Sequence, residues 1–343
     1  MFPALIEKLI RREDLTSDEA SAAMSEVMAG RAGEAHIAGF LIGLAMKGER
    51  PAEIVGLART MRAHAVALSR PYPGVFDTCG TGGDRSGTFN ISTCAAIVLA
   101  ACGVQTAKHG NRSVSSLSGS ADVFEVLGVN VGAAPSIVER CLVEANLGFF
   151  FAPTFHPSMR HAGPTRRALG VRTAFNLLGP LTNPAGATRQ IVGVPRSEFT
   201  ELIARSLLLL GSERAWVVHG ADGIDEISTT GYTKVSECRD GAVKTFYLHP
   251  GDVGLQKAAP GALKGGSATD NAAIITAVLD GAPGAARDVV LLNVGAALFV
   301  AGRAESIRDG MHQAGRAIDG GAAKATLARL VALSQAEATG AAS

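Results

Sequence analysis

Aromatic residues are scarce in this chain: they fill 5% of its 343 positions, with a single tryptophan. Its core must therefore rest on Ala, Leu, Val and Ile. An excess of charge of one sign is also missing, since 32 Lys and Arg stand against 31 Asp and Glu, for a formal charge of +1. Sequence-independent attraction to nucleic acid needs a strongly basic surface, so no nucleic-acid partner is expected. No uninterrupted run of 18 or more apolar residues occurs, and no membrane-spanning helix is expected. The stretch from Met1 to Lys8 is too short and charged for a secretory signal. The cysteines (79, 94, 102, 141 and 238) are odd in number and scattered. That pattern suits reduced thiols in a cytoplasmic protein, not a disulfide framework or a zinc site. Three catalytic signatures are missing as well. No Gly-x-Ser-x-Gly elbow marks a serine hydrolase. No Gly-rich loop closes on Gly-Lys-Ser/Thr, and no Gly-x-Gly-x-x-Gly stands where a dinucleotide fold needs it.

The composition that remains is 47% apolar and 18% charged, enough for a substantial core, and Gly is in excess at 41 residues. Excess Gly without a collagen period signals tight turns and close backbone approaches. The first 70 residues carry helical periodicity. Thr16-Ser17-Asp18-Glu19 reads as a capping box opening a helix that stops at Gly30. Ile37, Phe40, Leu41, Leu44 and Ala45 share one helical face. Pro51 suits a first helical turn, and Ile54, Leu57, Ala58 and Met61 follow at helical spacing. These helices read as packing and oligomer contact.

Pro71-Tyr72-Pro73-Gly74 breaks this texture. Beyond it, short β-rich runs at 75–77, 104–107, 148–151, 190–194 and 215–219 alternate with helical stretches at 92–101, 136–145 and 198–209. Alternation of this kind predicts an α/β fold with a mainly parallel central sheet. Residues 156–184 are basic and Pro-punctuated and could lead back to the helical layer. Helices are expected again at 271–279, 287–301 and 322–333, before a fraying tail at 335–343.

Three blocks carry chemistry. The first is Cys79-Gly80-Thr81-Gly82-Gly83-Asp84, continuing through Thr88-Phe89-Asn90-Ile91-Ser92-Thr93. Its glycines bare backbone N–H groups, and the helix expected to begin near Asn90 adds a positive terminus, which together suit phosphate. Asp84 beside such a cradle points to a sugar hydroxyl or a metal. Cys79 has no activating partner in view. The second block is Lys108-His109-Gly110-Asn111-Arg112-Ser113-Val114-Ser115-Ser116, running on to Ser118-Gly119-Ser120-Ala121-Asp122. It supplies a cation and short hydroxyl and amide donors between a strand and a helix. His109 reads first as a hydrogen-bonded structural residue. The third block holds the pair Asp225-Glu226. Adjacent carboxylates repel unless a cation lies between them, and Mg²⁺ suits one or two carboxylates plus substrate phosphates. Each block follows an expected strand, so all three could meet at the C-terminal edge of the sheet.

Taken in order, these blocks, together with Arg172-Thr173-Ala174-Phe175-Asn176-Leu177-Leu178-Gly179-Pro180-Leu181-x-Asn183-Pro184 and Asn293-Val294-Gly295-Ala296-Ala297-Leu298, resemble the anthranilate phosphoribosyltransferase family over nearly the whole chain. The resemblance implies the nucleoside phosphorylase/phosphoribosyltransferase class. It implies an α-helical domain over 1–70, completed by part of 157–190, and an α/β domain over 71–343 that binds 5-phosphoribosyl 1-diphosphate. It implies a cytoplasmic homodimer joined through the helical domain, two Mg²⁺ per subunit, and transfer of the phosphoribosyl group to anthranilate in tryptophan synthesis. Carried over, Gly80, Gly83, Asp84, Thr88, Asn90, Ile91, Ser92 and Thr93 would hold the diphosphate. Lys108, Gly110, Asn111, Arg112, Ser113, Val114, Ser115, Ser116 and Ser120 would complete the donor site. Ser92, Asp225 and Glu226 would bind Mg²⁺. Asn111 and Arg166 would meet anthranilate, with Gly80 and His109 lining its entry. No residue is implied as a general base; Lys108 and Arg166 would act electrostatically.

Two positions depart from the family pattern: Arg85 adds a charge beside the first cradle, and Leu117 replaces a commonly polar residue. Two other readings compete. A pyrimidine nucleoside phosphorylase shares the architecture but has no use for Asp225-Glu226. A non-catalytic nucleic-acid-binding paralogue would carry a basic surface and eroded motifs, and this chain has neither.

Overall fold

The computed structural model of the chain describes residues 1–84, 86–113 and 117–336. Four helices open it: α1 (Phe2–Ile10), α2 (Ser17–Met28), α3 (Glu34–Lys47) and α4 (Pro51–Ala63). The capping box forms as its residues dictate, with Glu19 N–H donating to Thr16 Oγ1 at 3.2 Å and Thr16 N–H donating to the Glu19 carboxylate at 2.9 Å. Ile37, Phe40, Leu41 and Leu44 are buried on α3, but Ala45 is exposed beside an exposed Met46. Ala45 lies at the edge of the apolar stripe and turns outward, while Leu44 before it is fully buried. Pro51 takes the first-turn position of α4, whose Glu53 carboxylate accepts from Arg50 N–H at 2.8 Å and pairs with the buried Lys47.

Seven strands follow: β1 (Phe76–Gly80), β2 (Thr106–Gly110), β3 (Leu147–Phe151), β4 (Arg189–Gly193), β5 (Arg214–Gly220), β6 (Thr233–Arg239) and β7 (Ala242–Leu248). They form one sheet in the order β3-β2-β1-β4-β5-β6-β7. The first five run parallel, and β6 and β7 join antiparallel. The fold is thus α/β with a small helical domain and a mostly parallel sheet. The β6–β7 hairpin escaped the sequence reading. Its signal was Asp240-Gly241, both with positive φ, between runs that carry Thr233 and Val235 on one side and Val243 and Thr245 on the other. Helix Ile307–Asp319 was likewise unforeseen.

Strand alternation divides the core in two. Ile191, Trp216 and Val218 face one cluster, shared with helices Ile91–Ala101 and Ala285–Val300. Val192, Val194, Ala215 and Val217 face the other, shared with α1–α4, helix Phe199–Leu209 and the segment carrying Ala174, Phe175, Leu177, Leu178 and Leu181. The basic segment after β3 therefore packs between the helical layer and the sheet. Arg62 of α4 ties it down by donating to Leu181 O at 2.6 Å.

Candidate functional site

The first block turns out of β1 at Gly80. Thr81 N–H donates to Gly193 O at 2.9 Å, which holds the loop against β4. Gly82 and Gly83 take φ of 66° and 76°, a region L side chains avoid. The Gly82 peptide is held on both sides: its N–H donates to Asp225 Oδ2 at 3.1 Å, and its oxygen accepts from Arg172 Nη1 at 2.8 Å. The Arg172 guanidinium packs so closely on Gly83 that a Cβ there would overlap it. Gly80 and Gly193 leave room for the Asp225 side chain and backbone in the same way. Asp84 bonds Ser86, and Thr88 bridges to Lys264.

Helix Ile91–Ala101 starts at Asn90, which spans toward Ser118 O (3.3 Å) and Asn271 (2.8 Å). Ile91 is a core residue: its side chain is buried and its N–H is used by Phe89 O. Ser92 N–H donates to Glu226 Oε1 at 2.9 Å. Thr81 Oγ1 and Thr93 Oγ1 are buried at this rim without a hydrogen-bond partner.

The second block begins as strand, not loop, because β2 runs on to Gly110. Lys108 is consequently buried. Its ammonium donates to Thr78 O at 2.5 Å and lies 3.4 Å from Ser92 Oγ, so its charge stands behind the helix terminus. His109 presents Nδ1 to Gly179 O at 3.0 Å and leaves Nε2 buried and unpartnered. A carbonyl accepts only from a protonated nitrogen, so the tautomer carries its proton on Nδ1. Burial, the neighbouring His156 and Lys108 push its pKa down to about 3 despite the Gly179 bond. Gly110 has Ser120 and Phe149 packed where a Cβ would stand. Asn111 is exposed, its Oδ1 accepting from Arg112 N–H at 2.8 Å. Arg112 turns outward to Asp122 and Glu125, at 3.0 and 2.7 Å. Asp122 also accepts from Ser113 and Gly119 N–H, pinning both ends of the serine loop. Of the residues expected here, Val114, Ser115 and Ser116 lie outside the described residues, as does Arg85; Leu117 is 79% exposed.

The carboxylate pair lies on the turn between β5 and β6. Burial first, and the charge of Asp84 second, push the Asp225 pKa up; burial and Asp225 do the same to Glu226. Two desolvated carboxylates on adjacent residues call for a cation, and an all-oxygen donor set suits a hard one. Arg166, on helix Gly163–Leu169, has its guanidinium 5.1 Å from the Phe175 ring centroid. Among the described residues no carboxylate pairs with it, and desolvation lowers its pKa. The Cys79 thiol is buried, and its pKa is raised far up by burial and by Asp77, so it is no nucleophile.

Sequence reasoning missed several members. His156 is 3% exposed, its ring centroid 5.2 Å from that of His109, with the Thr182 backbone near its ring. Gly193 and the role of Arg172 were missed too; a glycine ending a buried strand signals close backbone approach.

A helical bundle leading into a parallel sheet, with backbone cradles and carboxylates at one edge, is the layout of a class. Residues 3–65 match the glycosyl transferase family helical bundle domain, and residues 72–324 the glycosyl transferase family a/b domain. The anthranilate phosphoribosyltransferase of Azorhizobium caulinodans is 51% identical over 335 residues, covering 98% of this chain and 97% of the relative. The crystal structure of the Thermus thermophilus enzyme of that name matches with a TM-score of 0.90 at 43% identity, over 97% of this chain and 99% of that one. The Saccharomyces cerevisiae enzyme, solved in complex with PRPP and Mg, matches with a TM-score of 0.89 at 27% identity, over 97% of each chain. The chain belongs to the anthranilate phosphoribosyltransferase family.

Proposed function

We propose that the chain transfers the phosphoribosyl group of 5-phosphoribosyl 1-diphosphate to the amine of anthranilate, giving N-(5-phosphoribosyl)anthranilate and diphosphate. One observation carries the reading: two N–H groups of the first cradle, at Gly82 and Ser92, each meet one carboxylate of the Asp225–Glu226 pair. A phosphate cradle and a metal ligand so interleaved suit a metal–diphosphate group. Asp225, Glu226 and Ser92 would hold Mg²⁺, whose charge would offset that of the departing diphosphate. Two carboxylates leave the remaining ligand positions to substrate phosphate and water.

The chain's own groups do the rest. Gly80, Gly83, Asp84, Thr88, Asn90 and Thr93 shape the diphosphate side. Ile91 contributes its helical position and not its side chain. Lys108 acts from beneath as a fixed positive charge behind Ser92, favouring negative charge as it develops on the leaving group. Gly110, Asn111, Ser113 and Ser120 frame the rest of the donor. Arg112 anchors this loop through Asp122. The serine run 114–116 belongs to the same reading by family resemblance. Arg166, a desolvated guanidinium that pairs with no carboxylate among the described residues, would clamp the carboxylate of anthranilate. His109 and His156 would line its entry as neutral rings. His109, its pKa pushed down to about 3 chiefly by burial, is too weak to act as a proton acceptor. The weakly basic aromatic amine attacks without one, and catalysis rests on orientation and electrostatics.

Further parts of the reading are a division near residue 70, two Mg²⁺ per subunit, a cytoplasmic location, and a homodimer through the helical domain. Ile10 and Met46, each 74% exposed, are apolar surface such a contact would cover, which sedimentation would read. The central test is a two-substrate assay with and without Mg²⁺. Product should form only with both substrates and the metal. The double variant Asp225→Asn/Glu226→Gln should lose the Mg²⁺ response; an unchanged Mg²⁺ titration would refute the metal assignment.

A further inference from the structure

The Asn293-Val294-Gly295-Ala296-Ala297-Leu298 segment has no part in the function described so far. It lies on helix Ala285–Val300, far along the chain from every cradle. Asn293 is nevertheless 4% exposed and spends its whole amide on the backbone of one residue across from it and on its own helix. Its Oδ1 accepts from Ile227 N–H at 3.1 Å, while its Nδ2 donates to Ile227 O and to Val289 O, each at 2.9 Å. A side-chain amide thus pairs with the main chain of Ile227 as a neighbouring strand would. The N–H it grips belongs to the peptide unit that begins at Glu226. Glu226 and Asn293 line the same small cavity as Thr78 and Ser92.

The helix that presents Asn293 is itself fixed. A Cβ on Gly295 would stand 2.6 Å from Ile307 O, and one on Gly310 would stand 2.5 Å from Gly295 O, so the two helices touch backbone to backbone. The carboxylate turn has a second tie at Ser228 N–H, which donates to Thr233 Oγ1 at 2.9 Å. Within the turn, Asp222 also accepts from the Ser228 and Thr230 hydroxyls, while the two carboxylates themselves accept from Gly82 and Ser92 N–H. Asn293 adds a hold on the peptide that follows Glu226 from outside the turn, on a helix that packs against Ile91–Ala101.

We propose that Asn293 is a positioning residue for the Asp225–Glu226 pair, setting the affinity of the site for a divalent cation without touching the ion. This rests on the metal reading of the pair given above. Partners that orient metal ligands from behind typically change metal affinity by about 10–100-fold when removed. Only an amide fits the pattern, because one atom must accept and the other must donate twice.

The test measures the Mg²⁺ concentration needed for half-maximal binding of 5-phosphoribosyl 1-diphosphate by calorimetry, alongside thermal melting. Asn293→Ala is expected to raise that concentration about 10–100-fold, with the anthranilate KM at saturating Mg²⁺ unchanged. If Asn293→Ala does not fold, Asn293→Ser, whose hydroxyl retains one polar group near Ile227, carries the same expectation. A lowered melting temperature with an unmoved Mg²⁺ midpoint would show a purely structural staple and overturn the proposal. Asp225→Asn/Glu226→Gln serves as the reference. If it moves the midpoint and the Asn293 variants do not, positioning alone is refuted; if it leaves the midpoint in place, the metal reading falls first.

Discussion

Gly193→Ala adds a single methyl group, yet it tests how closely the site is built. Gly193 ends β4, which is paired on one side with β1 and on the other with β5. A Cβ built there would overlap the carbonyl oxygen of Asp225, lying 2.5 Å from the carbonyl carbon and 3.0 Å from Asp225 Cβ. Ordinary carbon contacts lie at about 3.5–4.0 Å, so a gap of about 1 Å or more must open. A strand paired on both sides cannot yield, and the residue's backbone is not in the left-handed region, so the strain falls on the turn carrying Asp225 and Glu226. Misplacing reacting groups by about 1 Å can cost roughly 10²-fold in rate, or about 2.7 kcal/mol of transition-state stabilisation. Overpacking should cost about 1–3 kcal/mol of stability besides. Steady-state kinetics with the donor varied, combined with urea unfolding, would read both. A variant with wild-type kcat/KM for the donor and an unshifted Mg²⁺ response would refute the argument that Gly193 makes room for the carboxylate turn.

Two further outcomes follow from the same geometry. On the proposal that Arg166 clamps the anthranilate carboxylate, Arg166→Ala should raise the anthranilate KM about tenfold or more while changing the donor KM much less; equal losses for both substrates would count against it. The buried histidines make stability depend on pH. His109 and His156 are pushed down to about 3 and about 4, chiefly by burial, whereas an unfolded histidine titrates near 6.5. Between those values the unfolded chain binds protons that the folded chain does not, so stability falls as pH drops below about 6.5. The loss at pH 5.5 relative to 7.5 should be about 1.4 kcal/mol per histidine. Urea midpoints at the two pH values should differ less in His156→Asn than in the parent; an identical pH dependence would show that His156 is not held neutral.

The chain's local signals settled more of this protein than its topology did. Thr16 through Glu19 wrote a helix start because capping is satisfied within four residues. The runs at 190–194 and 215–219 read as strands because buried parallel strands are nearly continuous in apolar residues. The cradle glycines and the Asp225-Glu226 pair were legible because their chemistry lies in residue type and spacing alone. β6 and β7 were harder, since half of β7 faces solvent and its pattern is diluted by Lys244 and Thr245. Lys108 looked like a loop cation because the end of β2 has no sequence marker; pairing with β3 carries the strand to Gly110 and buries the ammonium behind Ser92.

What the sequence alone determined was the inventory: which groups could hold phosphate, which could hold a cation, and the alternation that makes an α/β sheet. Tertiary structure alone decided their register. Gly82 meets Asp225 across 143 positions and Ser92 meets Glu226 across 134. Arg172 closes on Gly82 from the basic segment, and Asn293 reaches Ile227 across 66 positions. Contacts of such separation depend on which strands lie side by side and which helices pack against them, and no local propensity or spacing encodes that order.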